Sequence, residues 1–198
     1  MSKKRPQLTM PPEEGVLLHA CCAPCSSAIT EWMIQNDIRP VIFYYNPNIY
    51  PREEYIVRRD ESKRHAELLG LRWVEGEYDH EEWLRVVKGL EEENERGRRC
   101  LACFKHRLLA SARKAKEMGL GCVTTTLASS RWKSQEQIDE AGEYAESESG
   151  VIFWHQNWRK DGLSERRAQL LREYNFYNQQ YCGCEFSLRN VCKKSEDK

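Results

Sequence analysis

Residues 16–25 read Val16-Leu17-Leu18-His19-Ala20-Cys21-Cys22-Ala23-Pro24-Cys25, a short apolar run that stops at three cysteines. A run of this kind, bounded by a turn, is typical of a buried strand. Ser26 and Ser27 follow, and their hydroxyls can cap a helix that carries Ile29 and Met33 on its apolar side. This segment therefore predicts a strand, a cysteine-bearing loop and a helix in succession.

The alternation of strand and helix continues along the chain. The predicted strands cover residues 16–20, 40–45, 71–74, 122–127 and 151–154. The predicted helices begin near Ser26 and then cover residues 51–69, 81–95, 100–118, 134–148 and 164–174. Strands separated by helices favour a single α/β domain, residues 1–198, with a mostly parallel sheet and flanking helices. Residues 1–13 and 193–198 are expected to form flexible ends.

Seven of the nine cysteines fall into three closely spaced groups. The first group is Cys21, Cys22 and Cys25, the second is Cys100 and Cys103, and the third is Cys182 and Cys184. Thiolates at such spacings can converge on one centre, and soft sulfur ligands favour an iron–sulfur cluster or zinc. Scattered buried thiols are the alternative, but they would not be grouped in this way. Cys122 and Cys192 lie outside the groups and are interpreted as structural or incidental.

Composition narrows the class of protein further. Lysine plus arginine and aspartate plus glutamate both number 31, so no overall charge indicates a particular partner. The polar first residues lack the apolar region of a secretory signal, and no apolar run has the length of a membrane span. We therefore expect a cytoplasmic protein without a membrane partner. In that reducing compartment metal thiolates are more common than disulfides.

Cysteine-bearing or polar loops follow four of the predicted strands. Cys21 follows the first strand, Asn46 and Asn48 the second, Asp79 the third and Ser129 the fourth. In open α/β sheets, ligands bind beyond the carboxyl ends of the strands. We therefore expect these loops to face one crevice, and the second and third cysteine groups must reach the same crevice to share a site.

Several motifs occur in order along nearly the whole chain. They are Leu18-His19-Ala20-Cys21-Cys22-Ala23-Pro24-Cys25-Ser26, Tyr45-Asn46-Pro47-Asn48-Ile49, Glu54-Tyr55, Tyr78-Asp79, Arg99-Cys100, Cys103-Phe104, Arg107-Leu108, Thr124-Thr125-Thr126-Leu127 and Tyr181-Cys182-Gly183-Cys184. This set resembles the signature of QueH-type epoxyqueuosine reductases. The resemblance implies a nucleotide α-hydrolase (PP-loop, HUP-like) fold, with the cysteine loop where relatives carry a phosphate-binding loop. It also implies the last step of queuosine biosynthesis, the reduction of epoxyqueuosine to queuosine at the wobble position of certain tRNAs.

The chain departs from the family pattern at a few places. The family usually has Arg at Asn178, Pro at Ser130, Asp-Phe-Lys at Asn157-Trp158-Arg159 and Glu-Pro-Glu at Glu93-Asn94-Glu95. None of these differences removes a cysteine, so the metal site is expected to be intact. The substrate contacts at these positions are not carried over.

The implied reaction requires a cofactor and a partner besides tRNA carrying epoxyqueuosine. Converting an epoxide to an alkene consumes two electrons and two protons, and an unidentified donor must deliver the electrons through a redox cofactor. A [4Fe–4S] cluster takes four cysteines and leaves three of the seven. Adjacent side chains such as those of Cys21 and Cys22 point in different directions unless the backbone turns sharply, so the two cysteines are expected to serve two different centres. A second, mononuclear metal, iron or zinc, could then polarise the epoxide oxygen, with Asp79 as its carboxylate ligand.

Individual residues outside the cysteine groups are also candidates for catalysis or substrate binding. Asp79, Tyr45 and Tyr181 are the candidate catalytic residues, and the alternative for Asp79 is a helix N-cap. The candidate substrate-binding residues are Asn46, Asn48, Glu54, Arg58, Arg107, Thr125, Thr126 and Lys133. The basic residues are candidates because phosphates attract them, and the alternative for most is a solvated surface. Trp132 could stack on an unpaired base or pack internally, and His19 could donate to a thiolate or fill the core.

Three other functions compete with the reductase. A structural zinc module also uses paired cysteines, but iron would give visible absorption where zinc would not. A tRNA-thiolating PP-loop enzyme needs a Ser-Gly-Gly-x-Asp-Ser loop after the first strand, and residues 21–26 contain no glycine pair. A redox-sensing binding protein would not turn over an epoxide-bearing tRNA.

Overall fold

The computed structural model describes residues 8–130 and 133–189, and within them five strands alternate with helices. The strands are β1 (Val16–His19), β2 (Val41–Tyr44), β3 (Trp73–Glu75), β4 (Cys122–Thr125) and β5 (Ile152–Phe153). The helices are α1 (Ala23–Gln35), α2 (Arg52–Leu68), α3 (His80–Val86), α4 (Arg98–Glu117), α5 (Gln135–Ser149) and α6 (Leu163–Glu173), and a 3-10 turn covers Thr126–Ser129.

The five strands form one sheet in the order β3-β2-β1-β4-β5, and each neighbouring pair is parallel. The predicted α/β fold with a parallel sheet and flanking helices is confirmed. The chain moves outward from β1 through β2 to β3 and then crosses to the other side of β1 to enter β4. The direction of winding therefore reverses between β1 and β4, which is where open sheets of this kind place their ligands.

The core explains why these segments are strands and helices. Every residue of β1, β2 and β4 is buried, as expected for inner parallel strands that are covered on both faces. Helix α4 packs against α5 and against β1 and β4, whereas α1 packs against α2 and α6. The loops at the carboxyl ends of the strands consequently lie along one edge of a rigid sheet.

Two helices differ from their predicted bounds. Helix α1 begins at Ala23, with Cys22 as its N-cap and Pro24 in its first turn, so the prediction that Ser26 and Ser27 cap it is wrong. Proline is favoured there because its missing N–H would be unpaired in any case. Helix α3 ends at Val86 rather than near residue 95, and the positive φ of Gly89, 83°, turns the chain soon afterwards.

Strand β4 is also shorter than predicted. It ends at Thr125 because the Thr125 hydroxyl accepts a hydrogen bond from Leu127 N (3.1 Å) and so starts the 3-10 turn. This turn brings Thr126 over the loop that follows β1. Trp132, Cys192 and the end at 193–198 lie outside the described residues, as do residues 1–7 of the other predicted flexible end.

Among the helices that the structure describes, none combines the length and apolar character needed to cross a bilayer.

Candidate metal centre

The first cysteine group converges on one point at the switch between β1 and β4. The Sγ atoms of Cys21, Cys22 and Cys25 all lie within 4.8 Å of one another. The Sγ atoms of Cys21 and Cys22 are 3.8 Å apart, so the two side chains do not point in opposite directions, and their assignment to two centres stays a prediction. The chain bends at Cys21 and starts α1 two residues later, which turns both thiols the same way.

Two side chains from distant segments contact these sulfurs. Thr126 accepts a hydrogen bond from Cys21 N (3.0 Å) and its hydroxyl donates to Cys21 Sγ (3.3 Å). Gln179 Nε2 donates to Cys22 Sγ at 3.0 Å. Thr126 is thus a support of the cysteine loop in addition to its predicted role as a substrate contact. Gln179 was not predicted, because it lies in an irregular polar segment without a sequence signal.

The thiols of this group differ in their electrostatic surroundings. Hydrogen bonds from Cys21 and Cys22 hold the pKa of Cys25 below its usual value, and the positive charge of Arg167 adds to the effect. Burial, by contrast, raises the pKa of Cys22. Arg167 lies on α6 and donates from Nε to Pro24 O (3.1 Å), and sequence reasoning missed it as well.

The second and third cysteine groups lie close to each other, although most of the second half of the chain separates them. Burial raises the pKa of Cys100 to about 12, and the neighbouring thiols of Cys182, Cys103 and Cys184 contribute to the rise. The pKa of Cys184 rises to about 11, again through burial and then through Cys182. These shifts indicate that thiols of the second and third groups lie near enough to interact electrostatically.

Lys133 connects this set of four thiols with the first group. Burial alone would lower the pKa of its ammonium, but the thiols of Cys182, Cys21 and Cys25 outweigh that effect and raise the pKa. One positive charge therefore lies between thiols from the first and third groups. Lys133 thus interacts with thiols of both the first and the third cysteine groups.

Arg107 is the second cation of the crevice, and it is only 2% exposed. Its guanidinium lies 4.0 Å from Cys103 Sγ and 3.4 Å from His19 Nε2, and it donates a short hydrogen bond to Asn46 Oδ1. His19 in turn lies 2.7 Å from the Thr125 hydroxyl. Burial and the nearby Arg107 lower the pKa of His19 to about 3, so the imidazole is neutral at physiological pH. Three predicted contact residues, Asn46, Arg107 and Thr125, thus meet behind the thiols.

The third cysteine group rests on the loop that follows β2. Tyr50 N donates to Gly183 O (2.8 Å), and Gly183 has a φ of +128° with Ile49 Cγ1 only 3.0 Å from where a Cβ would lie. Glycine is required there because other residues rarely adopt that φ. Asn48 borders the same glycine, and its Oδ1 is buried without a partner among the described residues.

Arg58 stabilises this cysteine loop through hydrogen bonds to its backbone. Its guanidinium donates to Cys182 O (3.2 Å) and Tyr181 O (3.3 Å), and it pairs with Glu54 at 2.7 Å. The Tyr181 hydroxyl donates to Tyr50 O. Arg58 is buried, so its contacts are those of an internal support rather than of an exposed phosphate site.

Asp79 lies farther out, at the edge of the sheet. Its carboxylate accepts a hydrogen bond from Glu82 N (2.8 Å) and caps α3. It borders a cavity of about 430 Å³, in which the Tyr45 hydroxyl lies 2.8 Å from His106 Nε2. No hydrogen bond within residues 8–130 and 133–189 joins Asp79 to a thiol, so the structure gives this residue the contact expected of a helix cap.

Comparison of the sequence with known proteins identifies the family of this chain. The family model described as epoxyqueuosine reductase QueH matches residues 16–190. This chain belongs to the QueH family. A relative from Histophilus somni, called epoxyqueuosine reductase QueH, is 42% identical over 97% of this chain and 80% of its own length. Relatives of the same name from Haemophilus influenzae and Thermotoga maritima are 42% and 36% identical, over 92% and 87% of this chain and 75% and 90% of their own lengths.

Several of the departures from the QueH pattern have contacts of their own within the fold. Trp158 is 1% exposed and packs edge-on against Trp32, with ring centroids 5.7 Å apart, so it fills the core. Arg159 donates to Gln135 Oε1 (3.0 Å), and Glu93 pairs with Arg98. Asn178 lies directly before Gln179, whose side chain contacts Cys22.

The residues of the crevice fit a bound metal cofactor. Three buried or half-buried thiols form a soft donor set, and cationic side chains surround them. The buried N–H donor Arg107 Nε has no hydrogen-bond partner among the described residues. Burial raises the pKa of the nearby Cys103 thiol, and Arg107 and Trp83 oppose that rise. Donors of this kind suit a negatively charged sulfur ligand set.

Proposed function

We propose that this chain is an epoxyqueuosine reductase that acts on tRNA carrying epoxyqueuosine and forms queuosine, the last step of queuosine biosynthesis. The observation that carries the proposal is the buried group of Cys21, Cys22 and Cys25 at the switch point of the sheet, in a chain of the QueH family. The reaction removes the epoxide oxygen as water and needs two electrons and two protons. An electron donor must supply the electrons, and the tRNA brings the epoxide.

We further propose that four of the seven grouped cysteines hold a [4Fe–4S] cluster and that the remaining three supply ligands to a second, mononuclear metal. Four thiolates are the usual ligand set for such a cluster, which supplies electrons one at a time. The grouping of three thiols on one loop and four thiols from the second and third groups supports two separate ligand sets. The PP-loop-like arrangement is supported by the strand order and by the position of the cysteine loop after β1.

The protein's own residues supply charge balance and protons. Lys133, Arg107 and Arg167 offset the negative charge of the thiolates, which keeps addition of an electron to the site favourable. Burial raises the pKa of Tyr45 to about 12, so its hydroxyl stays protonated, and its bond to His106 gives the proton a path. The pKa of Tyr181 is likewise raised to about 12, but its hydroxyl is engaged by Tyr50 O. Tyr45 is therefore the better candidate proton donor.

Anaerobic purification followed by turnover tests the function directly. We expect a brown protein with about four inorganic sulfides per chain, and reduction of epoxyqueuosine in tRNA when a chemical reductant is supplied. The free modified nucleoside, tested in parallel, shows whether the rest of the tRNA is needed. A colourless protein that holds only zinc after reconstitution with iron and sulfide would contradict the proposal and favour a structural zinc module.

Asp79→Asn separates the two roles considered for Asp79. Asparagine caps helices about as well as aspartate, so the free energy of unfolding should change by less than about 0.5 kcal/mol. If Asp79 binds the second metal, the variant should lose that metal and at least about tenfold of the turnover, with the cluster absorption unchanged. Asp79→Ala, which removes the cap, should cost about 1 kcal/mol of stability. Full metal content and full activity in Asp79→Asn would show that the residue is only a cap.

A further inference from the structure

The side chain of Gln179 has sulfur atoms as its hydrogen-bond partners. Its Nε2 donates to Cys22 Sγ at 3.0 Å and lies 3.9 Å from Cys25 Sγ. Its Oε1 is buried and has no hydrogen-bond partner among residues 8–130 and 133–189. A thiolate can only accept a hydrogen bond, so the N–H end of the amide must face it. The contact with sulfur therefore sets the orientation of this amide.

The chain on both sides of Gln179 is held in place, so the contact is built into the fold. Before it, the Phe176 ring is buried and stacks on Tyr174 with ring centroids 5.2 Å apart. After it, Arg58 donates to the carbonyls of Tyr181 and Cys182. The irregular segment between these two anchors is short, which keeps the amide over the first cysteine group.

Gln179 differs from the other donor to this group. Thr126 also accepts a hydrogen bond from Cys21 N, so it helps to shape the loop itself. Gln179 makes no described contact of that kind. Its replacement therefore removes an N–H···S bond without removing a support of the backbone.

We propose that Gln179 is a positioning residue whose N–H···S bond to Cys22 raises the reduction potential of the centre held by the first cysteine group. This inference rests on the proposed function, because it requires the thiols to hold a redox-active iron–sulfur centre. Reduction adds negative charge that is shared with the sulfur ligands, and a donor to sulfur stabilises the reduced state more than the oxidised state. Without the donor, the same electron is harder to add.

Gln179→Met tests this proposal, because methionine has a similar length and no N–H. Redox titration of the anaerobic protein, followed by absorption and electron paramagnetic resonance, should show about a tenfold shift of the one-electron equilibrium toward the oxidised state. That shift corresponds to about 59 mV. Gln179→Glu should shift the potential further in the same direction, since it also brings negative charge. The matched control is Gln180→Met: Gln180 is exposed, its Nε2 donates to Asn178 O (3.1 Å), and the potential should not change.

The outcomes separate this inference from the proposed function. An iron–sulfur protein whose potential is the same in Gln179→Met and the wild type would overturn the inference alone. If both Gln179→Met and Gln179→Asn lost their iron and sulfide, Gln179 would be needed for assembly, and a tuning role would be wrong. A wild-type protein that binds only zinc would overturn the proposed function before any potential is measured.

Discussion

Cys22→Ser and Cys103→Ser should each lower the turnover of epoxyqueuosine by at least about a hundredfold. Substitution of a residue that hydrogen-bonds to a metal ligand typically lowers metal affinity or activity by about 10- to 100-fold. Loss of the ligand itself should lower activity by at least as much. Each variant should also lose iron, because serine is a harder and poorer ligand than a thiolate. The measurement is iron, zinc and sulfide content together with turnover, on proteins purified and reconstituted without oxygen.

A comparison of the two variants should also show which thiols belong to which metal centre. Cys22 belongs to the group of three and Cys103 to the set of four, so a two-centre protein should retain sulfide in one variant and lose it in the other. Equal losses of iron and sulfide in both would indicate one shared centre. Cys122→Ser is the matched control, since Cys122 is buried in β4 with its Sγ 3.7 Å from Glu13 O and lies outside the groups. It should keep full iron and activity.

Arg107→Met should reduce turnover by about ten- to a hundredfold and should weaken retention of iron. The substitution keeps much of the buried volume but removes the cation beside Cys103 and the donor to Asn46. The negative charge of the thiolates would then be offset by less positive charge. The reduced state of the metal centre would be destabilised most, because it carries more negative charge than the oxidised state. Turnover and iron content report on these effects separately.

Two further variants define what the guanidinium contributes. Arg107→Lys keeps the charge but cannot reach Cys103, His19 and Asn46 together, so it should recover only part of the activity. Arg172→Met removes an exposed arginine on α6 and should have no effect. Wild-type turnover in Arg107→Met would show that the side chain only fills space.

The sequence predicted the sheet because its signals are local. Apolar runs such as residues 16–20, each followed by a helix with a one-sided apolar pattern, require parallel strands covered on both faces. Parallel strands place their carboxyl ends on one edge, so the sequence alone assigns the loops that carry Cys21, Asn46 and Asp79 to that edge. The three cysteine groups were equally visible, because their spacing is a property of the chain itself. The ends of α3 and β4 were predicted wrongly because a turn or a hydrogen bond, rather than the apolar pattern, stops each element.

Only the tertiary structure determined how the thiols and charges are combined. Arg58 and Lys133 look alike in the sequence, but one supports the third cysteine group 124 positions away and the other lies among the thiols. The sulfur contact of Gln179 also depends on a segment without periodicity, which is fixed by Phe176 and Arg58. The apolar pattern predicts secondary-structure elements because it depends on residues only a few positions apart in the chain. A site at the junction of distant loops depends on side chains that meet only after those elements have packed.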